Sequence, residues 1–370
     1  KFSMLKALTG AVIFTGEEFI SGKAVIIEHD SIESIIDNGS IPVGAQIIDC
    51  SDYIIAPGFI DLQIAGAGGF LFSADPSAEA LTSITHSIIK SGTTGFQIVL
   101  PTNTNEVYRK AFSTLKYNPH NAVLGFHVEG PYINPLRRGA HMTELIRHPE
   151  KKEIETLLKE GDGLIKMITL APEMCSFDII NLFKEYGVVV CAGHSNATFN
   201  EAMTGFKWGV SSVTHLFNAM SQFHHRDPGL PGAAFQAENI SASIIADGIH
   251  VDYNTISIAK KLMKERLYLI SDAVEENTCG AYLHIRQKDR FTLPDGTLSG
   301  SALTMVKAVQ NCVEHTDIPF DEALRMASLY PARVMKIDDR GMIKPGFRAD
   351  LVVFNKNFKV KMVCSNGVFY

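Results

Sequence analysis

The sequence predicts an α/β protein, a (β/α)8 TIM-type barrel carrying a small β-sandwich domain, on three observations. Eight short apolar runs recur through the middle of the chain, each followed by a segment with helical spacing. Those runs are near-continuous Val, Ile and Leu without alternation, as strands covered by helices on both faces require. The two ends instead alternate short β-type runs with Gly and Asn turns. At 370 residues the chain suits one large barrel with an accessory piece. A chain of this length buries roughly three quarters of its unfolded surface without covalent staples.

The apolar runs cover 54–63, 95–101, 122–129, 164–171, 187–194, 210–215, 242–247 and 267–272. Helices are expected over 78–91, ahead of the Gly92-Thr93-Thr94-Gly95 break, over 149–160 before Gly161, over 303–315, and over 320–330 before Pro331. Outside these, Ala24 to Ile27, Asp350 to Phe354 and the Ser365-Asn366-Gly367 turn read as short strands and a hairpin. Neither end has enough strands to close a core alone. Residues 1–52 and 344–370 are therefore expected to form one small β domain, leaving 53–343 to the barrel.

Composition narrows the function. With 34 Lys and Arg against 40 Asp and Glu, a net charge of −6 and 46% hydrophobic residues, the chain is neither disordered nor a nucleic-acid coat. No apolar stretch approaches the roughly 18 residues that span a bilayer, and no secretory leader is visible. The six cysteines (Cys50, Cys175, Cys191, Cys279, Cys312, Cys364) are scattered and read as reduced thiols, so the expected setting is cytoplasmic, with no membrane or nucleic-acid partner.

In such barrels the chemistry falls at the C-terminal strand ends. Here the third run ends His127-Val128-Glu129, the fifth Gly193-His194, the sixth Thr214-His215 and the eighth Ser271-Asp272. One carboxylate and two imidazoles, Glu129, His194 and His215, suit Zn²⁺ with a position left open for water. Asp272, on a strand of its own, is the natural base, taking a proton from water and later giving it to a leaving group. The twenty-one residues from His194 to His215 fit adjacent strands separated by a helix, not a one-helix motif. Each residue alone also fits a plainer role: a hydrogen-bonded His at a strand end, a Glu on backbone amides, an Asp capping a helix.

Six segments, Pro57-Gly58-Phe59-Ile60-Asp61, His127 to Pro131, Ala192 to Thr198, Thr214 to Met220, Ala246 to Asp252 and Ser271-Asp272-Ala273, occur in an order that resembles the N-acetylglucosamine-6-phosphate deacetylases of the amidohydrolase superfamily. The likeness runs through essentially the whole chain. It implies hydrolysis of the N-acetyl group of N-acetylglucosamine 6-phosphate to glucosamine 6-phosphate and acetate, in amino-sugar catabolism and cell-wall sugar recycling. It implies one divalent ion per subunit, usually Zn²⁺, on Glu129, His194 and His215, with Asp272 as base and acid. It implies that His141 polarises the acetyl carbonyl or orients the sugar beside the Ala140 backbone, and that Asn218, the Ala219 amide, Arg226 and His250 contact the phosphate. Arg226 would reach across from the other subunit of a homodimer, and Leu298-Ser299-Gly300 would line the sugar pocket.

Many amidohydrolases carry His-x-His at the end of strand one, and single-metal deacetylases commonly carry Gln-x-Asn; this chain reads Gln63-Ile64-Ala65. One metal and no second site is the expectation. The same substitution disfavours a nucleobase deaminase or cyclic-amide hydrolase, while the intact ligand set disfavours a metal-free scaffold. Lys166 falls early in its strand, near the barrel bottom. His127 is either a supporting group or a packed core residue. His224 and His225 are expected to diverge on the loop carrying Arg226, and Gly66-Ala67-Gly68-Gly69 to let the chain pass close to the pocket.

Overall fold

The structure is a computed structural model describing residues 5–278 and 280–370. Eight parallel strands lie side by side in chain order: β1 (Phe59–Ile64), β2 (Thr93–Pro101), β3 (Val123–Glu129), β4 (Ile165–Leu170), β5 (Val189–Ala192), β6 (Ser212–Val213), β7 (Ser241–Ile245) and β8 (Leu267–Ile270). Every residue of β1 and β2 is buried, as strands covered on both faces require, including the polar Asp61, Gln63, Thr93, Thr94 and Gln97. The helices between them dock by one face. Ala78–Lys90 is capped by the Ser77 side chain and turns Leu81, Ile84 and Ile88 inward, and Phe199–Trp208 opens on a reciprocal Thr198–Glu201 capping box.

The barrel closes where β1 meets β8, through a single parallel bridge between Ile64 and Ala273, with the Ala65 N–H donating to the Ala273 carbonyl at 2.8 Å. Below it, the buried Asp61 carboxylate accepts from the Ser271 N–H at 3.2 Å, satisfying a donor that a full strand ladder would otherwise take. Burial pushes the Asp61 carboxyl up to about 7, against the hydrogen bonds from Ser271.

The accessory domain is two packed sheets. One orders Ser31–Asp37, Lys23–Glu28, Lys6–Thr9 and Gln46–Asp49; the other orders Val368–Phe369, Val360–Ser365, Leu351–Asn355, Tyr53–Pro57, Val12–Phe14 and Phe19–Ile20. Leu8, Val25 and Ile27 of the first sheet share one buried cluster with Ile13, Ile55 and Val353 of the second. The second sheet thus joins strands from both ends of the chain. Buried Arg340 ties it to the barrel, donating to the carbonyls of Thr94 at 3.2 Å and Asn121 at 2.9 Å, with Asp350 at 3.4 Å.

Two expectations change. The run at 54–63 is two strands, Tyr53–Pro57 in the accessory sheet and Phe59–Ile64 in the barrel, because the chain changes sheets at Gly58. The helix over 320–330 breaks at Ser328 into Phe320–Ala327 and Leu329–Val334. Pro331 sits in the first turn of the second, where a missing N–H costs nothing. Cys50, Cys175, Cys191, Cys312 and Cys364 are free thiols; Cys279 and residues 1–4 lie outside the described residues. Among the described residues, no helix is long and apolar enough to cross a membrane.

Gly58 has no room for a side chain, since a Cβ there would lie 2.2 Å from Thr94 Oγ1. Gly58→Ala is expected to cost about 1–3 kcal/mol through overpacking at the joint between the sheets. Urea unfolding should show a lower midpoint at unchanged slope; a midpoint equal to that of the native chain would mean that Thr94 yields freely.

Candidate active site

Three of the four strand-end residues share one backbone device. His194, His215 and Asp272 each stand two positions beyond the last residue of β5, β6 and β8, and each has a left-handed backbone, with φ of 47°, 34° and 52°. Such conformations cost an L-residue about 1–3 kcal/mol and persist only where the surroundings over-determine them. Each kink ends its strand and leaves the side chain over the barrel mouth. Glu129 is the last residue of β3, and Gly130 follows with φ of 82°.

The side chains converge. Glu129 Oε1 lies 3.1 Å from His215 Nε2 and 3.3 Å from His194 Nε2, and the two imidazole nitrogens are 3.1 Å apart. Ligand atoms at about 2.0–2.1 Å from a tetrahedral ion are about 3.3–3.4 Å from one another, so these three atoms already mark one face of such a site. His215 Nδ1 is buried without a hydrogen-bond partner.

Backbone partners assign the tautomers. His194 Nδ1 faces the Arg137 carbonyl at 2.9 Å; a carbonyl only accepts, so Nδ1 carries the proton and Nε2 presents its lone pair. His141 is the reverse, because its Nδ1 accepts from the Thr102 N–H at 3.3 Å and lies 2.8 Å from Thr102 Oγ1. Its proton therefore sits on Nε2, 3.6 Å from Glu129 Oε2. Ligand atoms of Glu129, His141 and His194 also cluster within 4.8 Å, but His141 offers a hydrogen there and not a lone pair. Glu129, His194 and His215, the set expected from the sequence, bring their ligand atoms within 3.1–3.3 Å of one another without that hydrogen between them.

Electrostatics follow from burial. Burial alone would raise the Glu129 carboxyl, yet the His141, His194 and His215 side chains hold it well below the usual range. Burial pushes His194 down to about 4, whereas at His215 burial is outweighed by Glu129 and the ring is raised. Burial, then the Glu129 charge, push Asp272 up to about 6. Between the two carboxylates stands Gln63, whose Nε2 donates to Glu129 Oε1 at 3.0 Å and Asp272 Oδ1 at 2.9 Å. That bridge was not foreseen from the sequence; the available signal was the two-residue alternation placing Asp61 and Gln63 on one face of β1.

A cavity of about 270 Å³ gathers Glu129, His141, His194, His215 and Asp272 with Ala140, Asn218, Ala219, His250 and Leu298 to Gly300. His250 is held by Asp247, Nδ1 to Oδ2 at 2.7 Å. Arg226 is not part of this cavity: it is exposed, in a turn closed between His224 and Asp227, and lines a separate hollow with Thr198 and Asn200. Tyr282 and His284, also not foreseen, come from the long segment after β8. Tyr282 donates its hydroxyl to the Thr102 carbonyl, and His284 Nδ1 meets Ser299 Oγ at 2.6 Å.

Of the remaining candidates, Lys166 faces a cavity at the opposite end of the barrel, beside Val189 and Ser241. His127 is buried between the Leu62 carbonyl at 3.0 Å and Thr169 Oγ1 at 2.7 Å, and burial lowers it to about 4. The His224 and His225 rings do not diverge; their centroids are 4.1 Å apart. Gly68 and Gly69, with φ of 62° and 86°, form the two-residue turn of a hairpin, Gly66–Ala67 with Phe70–Leu71, on the rim of the pocket.

Comparison with known proteins agrees with this architecture. Residues 6–51 match the NagA composite domain. The chain is 35% identical to N-acetylglucosamine-6-phosphate deacetylase of Haemophilus influenzae, over 98% of this chain and 99% of that one. It is 30% identical to N-acetylgalactosamine-6-phosphate deacetylase of Escherichia coli O157:H7, over 88% and 90%. The crystal structure of N-acetylglucosamine-6-phosphate deacetylase from Pasteurella multocida superposes with a TM-score of 0.95 at 34% identity, covering 99% of this chain and all of that one. With residues 54–369 matching the amidohydrolase family model over a complete barrel, the chain belongs to the amidohydrolase family.

Proposed function

We propose that this protein hydrolyses the N-acetyl group of N-acetylglucosamine 6-phosphate, giving glucosamine 6-phosphate and acetate. The observation that carries the reading is the convergence of Glu129, His194, His215 and Asp272 in one buried pocket, in a chain similar to deacetylases over its whole length. A divalent cation on Glu129, His194 and His215, which we take to be a single Zn²⁺, would supply a polarised carbonyl and a more acidic water. The remaining chemistry belongs to the chain. Asp272 takes a proton from the attacking water as its oxygen bonds to the acetyl carbon. The Nε2–H of His141 offers a donor to the oxyanion that develops. Asp272 then returns the proton to nitrogen as the C–N bond breaks, so the sugar leaves as an amine and the acyl group as acetate. Gln63 holds Asp272 oriented through both transfers.

At the other end of the substrate, Asn218, the Ala219 amide and His250 are our phosphate contacts, with Leu298 to Gly300 beside the sugar. An anionic phosphate needs more positive charge than these provide, and Arg226 lies outside its own cavity. That supports a homodimer in which Arg226 serves the neighbouring site. The same reading keeps a catalytic barrel, expected over 53–343, and an accessory domain, expected over 1–52 with 344–370, with Tyr53–Pro57 belonging to the accessory sheet and the barrel starting beyond Gly58. A cytoplasmic setting is supported by five free thiols.

Acetate release from N-acetylglucosamine 6-phosphate, measured beside the galactosamine epimer and the unphosphorylated sugar, tests the function. The phosphorylated gluco substrate should turn over fastest, and release from the unphosphorylated sugar at an equal rate would overturn the phosphate assignment. Asp272→Asn should lower kcat at least about a thousandfold while melting temperature and metal content stay put. Elemental analysis should find one equivalent of divalent metal per chain, lost in His215→Ala. Two equivalents of similar affinity would refute the single-site reading.

A further inference from the structure

We propose that Thr102 is a positioning residue that selects which histidines bind metal, by locking His141 in the tautomer that presents Nε2–H. The kinetic part rests on the deacetylase reading; the tautomer does not.

Thr102 is the first residue after β2 and is fully buried. Three of its groups are committed. Its N–H lies 3.3 Å and its Oγ1 2.8 Å from His141 Nδ1, and its carbonyl accepts the Tyr282 hydroxyl. The place of the hydroxyl is built in, since a Cβ on Gly130 would come within 2.1 Å of it. Were the His141 proton on Nδ1, it would face the Thr102 N–H, and a backbone N–H cannot accept. The N–H aimed at Nδ1 leaves the neutral ring a single choice, and the hydroxyl, nearer to Nδ1 at 2.8 Å than to the Glu129 carbonyl at 3.4 Å, adds a second donor to it.

The consequence lies on the other edge of the ring. The His141 ring is packed against that of His194, centroids 4.4 Å apart, and both turn Nε2 toward Glu129. In the opposite tautomer His141 would add a third imidazole lone pair beside Glu129 and His194, a competing ligand set built from the wrong residues. It would also lose the hydrogen needed to stabilise an oxyanion. One hydroxyl and one amide of Thr102 thus separate a donor histidine from a ligand histidine that are otherwise alike in burial and approach.

The test uses the metal-loaded enzyme labelled with 15N-histidine, with His141→Gln to assign the ring. Native protein should show His141 protonated on Nε2. Thr102→Val removes the nearer donor at constant shape. It should give a detectable Nδ1-protonated population and lower kcat about tenfold, the worth of one hydrogen bond, with KM within about twofold. Thr102→Ser should restore both. In the His141→Gln background Thr102→Val should change kcat less than about twofold, because a residue acting through another has nothing left to act on. An Nδ1-protonated ring in the native enzyme, a native tautomer and kcat in Thr102→Val, or an undiminished effect without His141 would each overturn the proposal. Failure of the native enzyme to release acetate would remove the deacetylase reading alone, since the tautomer spectra decide the role of Thr102 without turnover.

Discussion

A carboxylate sealed in a barrel has to be answered by donors or charge, and the site is organised around that demand at Glu129. Left alone, the group would neutralise itself by taking a proton. Here three imidazoles and the Gln63 amide surround it, and it stays ionised. Those same imidazoles, forced to face a shared oxygen at hydrogen-bond distance, crowd their nitrogens together in a way that a cation relieves. The negative charge that makes the pocket difficult to bury also makes it able to hold metal, and its field helps keep the neighbouring Asp272 poised near 6.

The fold meets this demand with very short strands. β6 contributes only two paired residues, yet the kink two positions later brings His215 to the axis as surely as the longer β8 brings Asp272. Strained backbone at three strand ends costs stability, and the well-packed barrel core offsets it.

The sequence made the barrel and its four strand-end groups legible because parallel strands announce themselves as apolar runs, and an ionisable residue at the end of such a run stands out. What it hid was contact made only by closure. Gln63 meets Asp272 across 209 residues, through the β1–β8 seam, and no local pattern marks a Gln that bridges carboxylates. Thr102 and Tyr282 were hidden for the same reason, since their partners come from distant loops. The split at Gly58 was hidden by a different cause: the residues on either side of it, Ile54 to Pro57 and Phe59-Ile60, are all apolar, so composition cannot say where one sheet ends and another begins. Arg226 was visible as a residue, but its place outside the cavity was not.

That one-residue joint links two counting systems. Tyr53–Pro57 is registered by its partner Leu351–Asn355, and Gln63 lies only five residues beyond Gly58. Side chains along β1 alternate between the barrel interior and the surrounding helices, so a single inserted residue at the joint would exchange the roles of Leu62 and Gln63. The accessory sheet, remote from every reacting atom, therefore acts as the ruler against which the phase of the catalytic wall is measured.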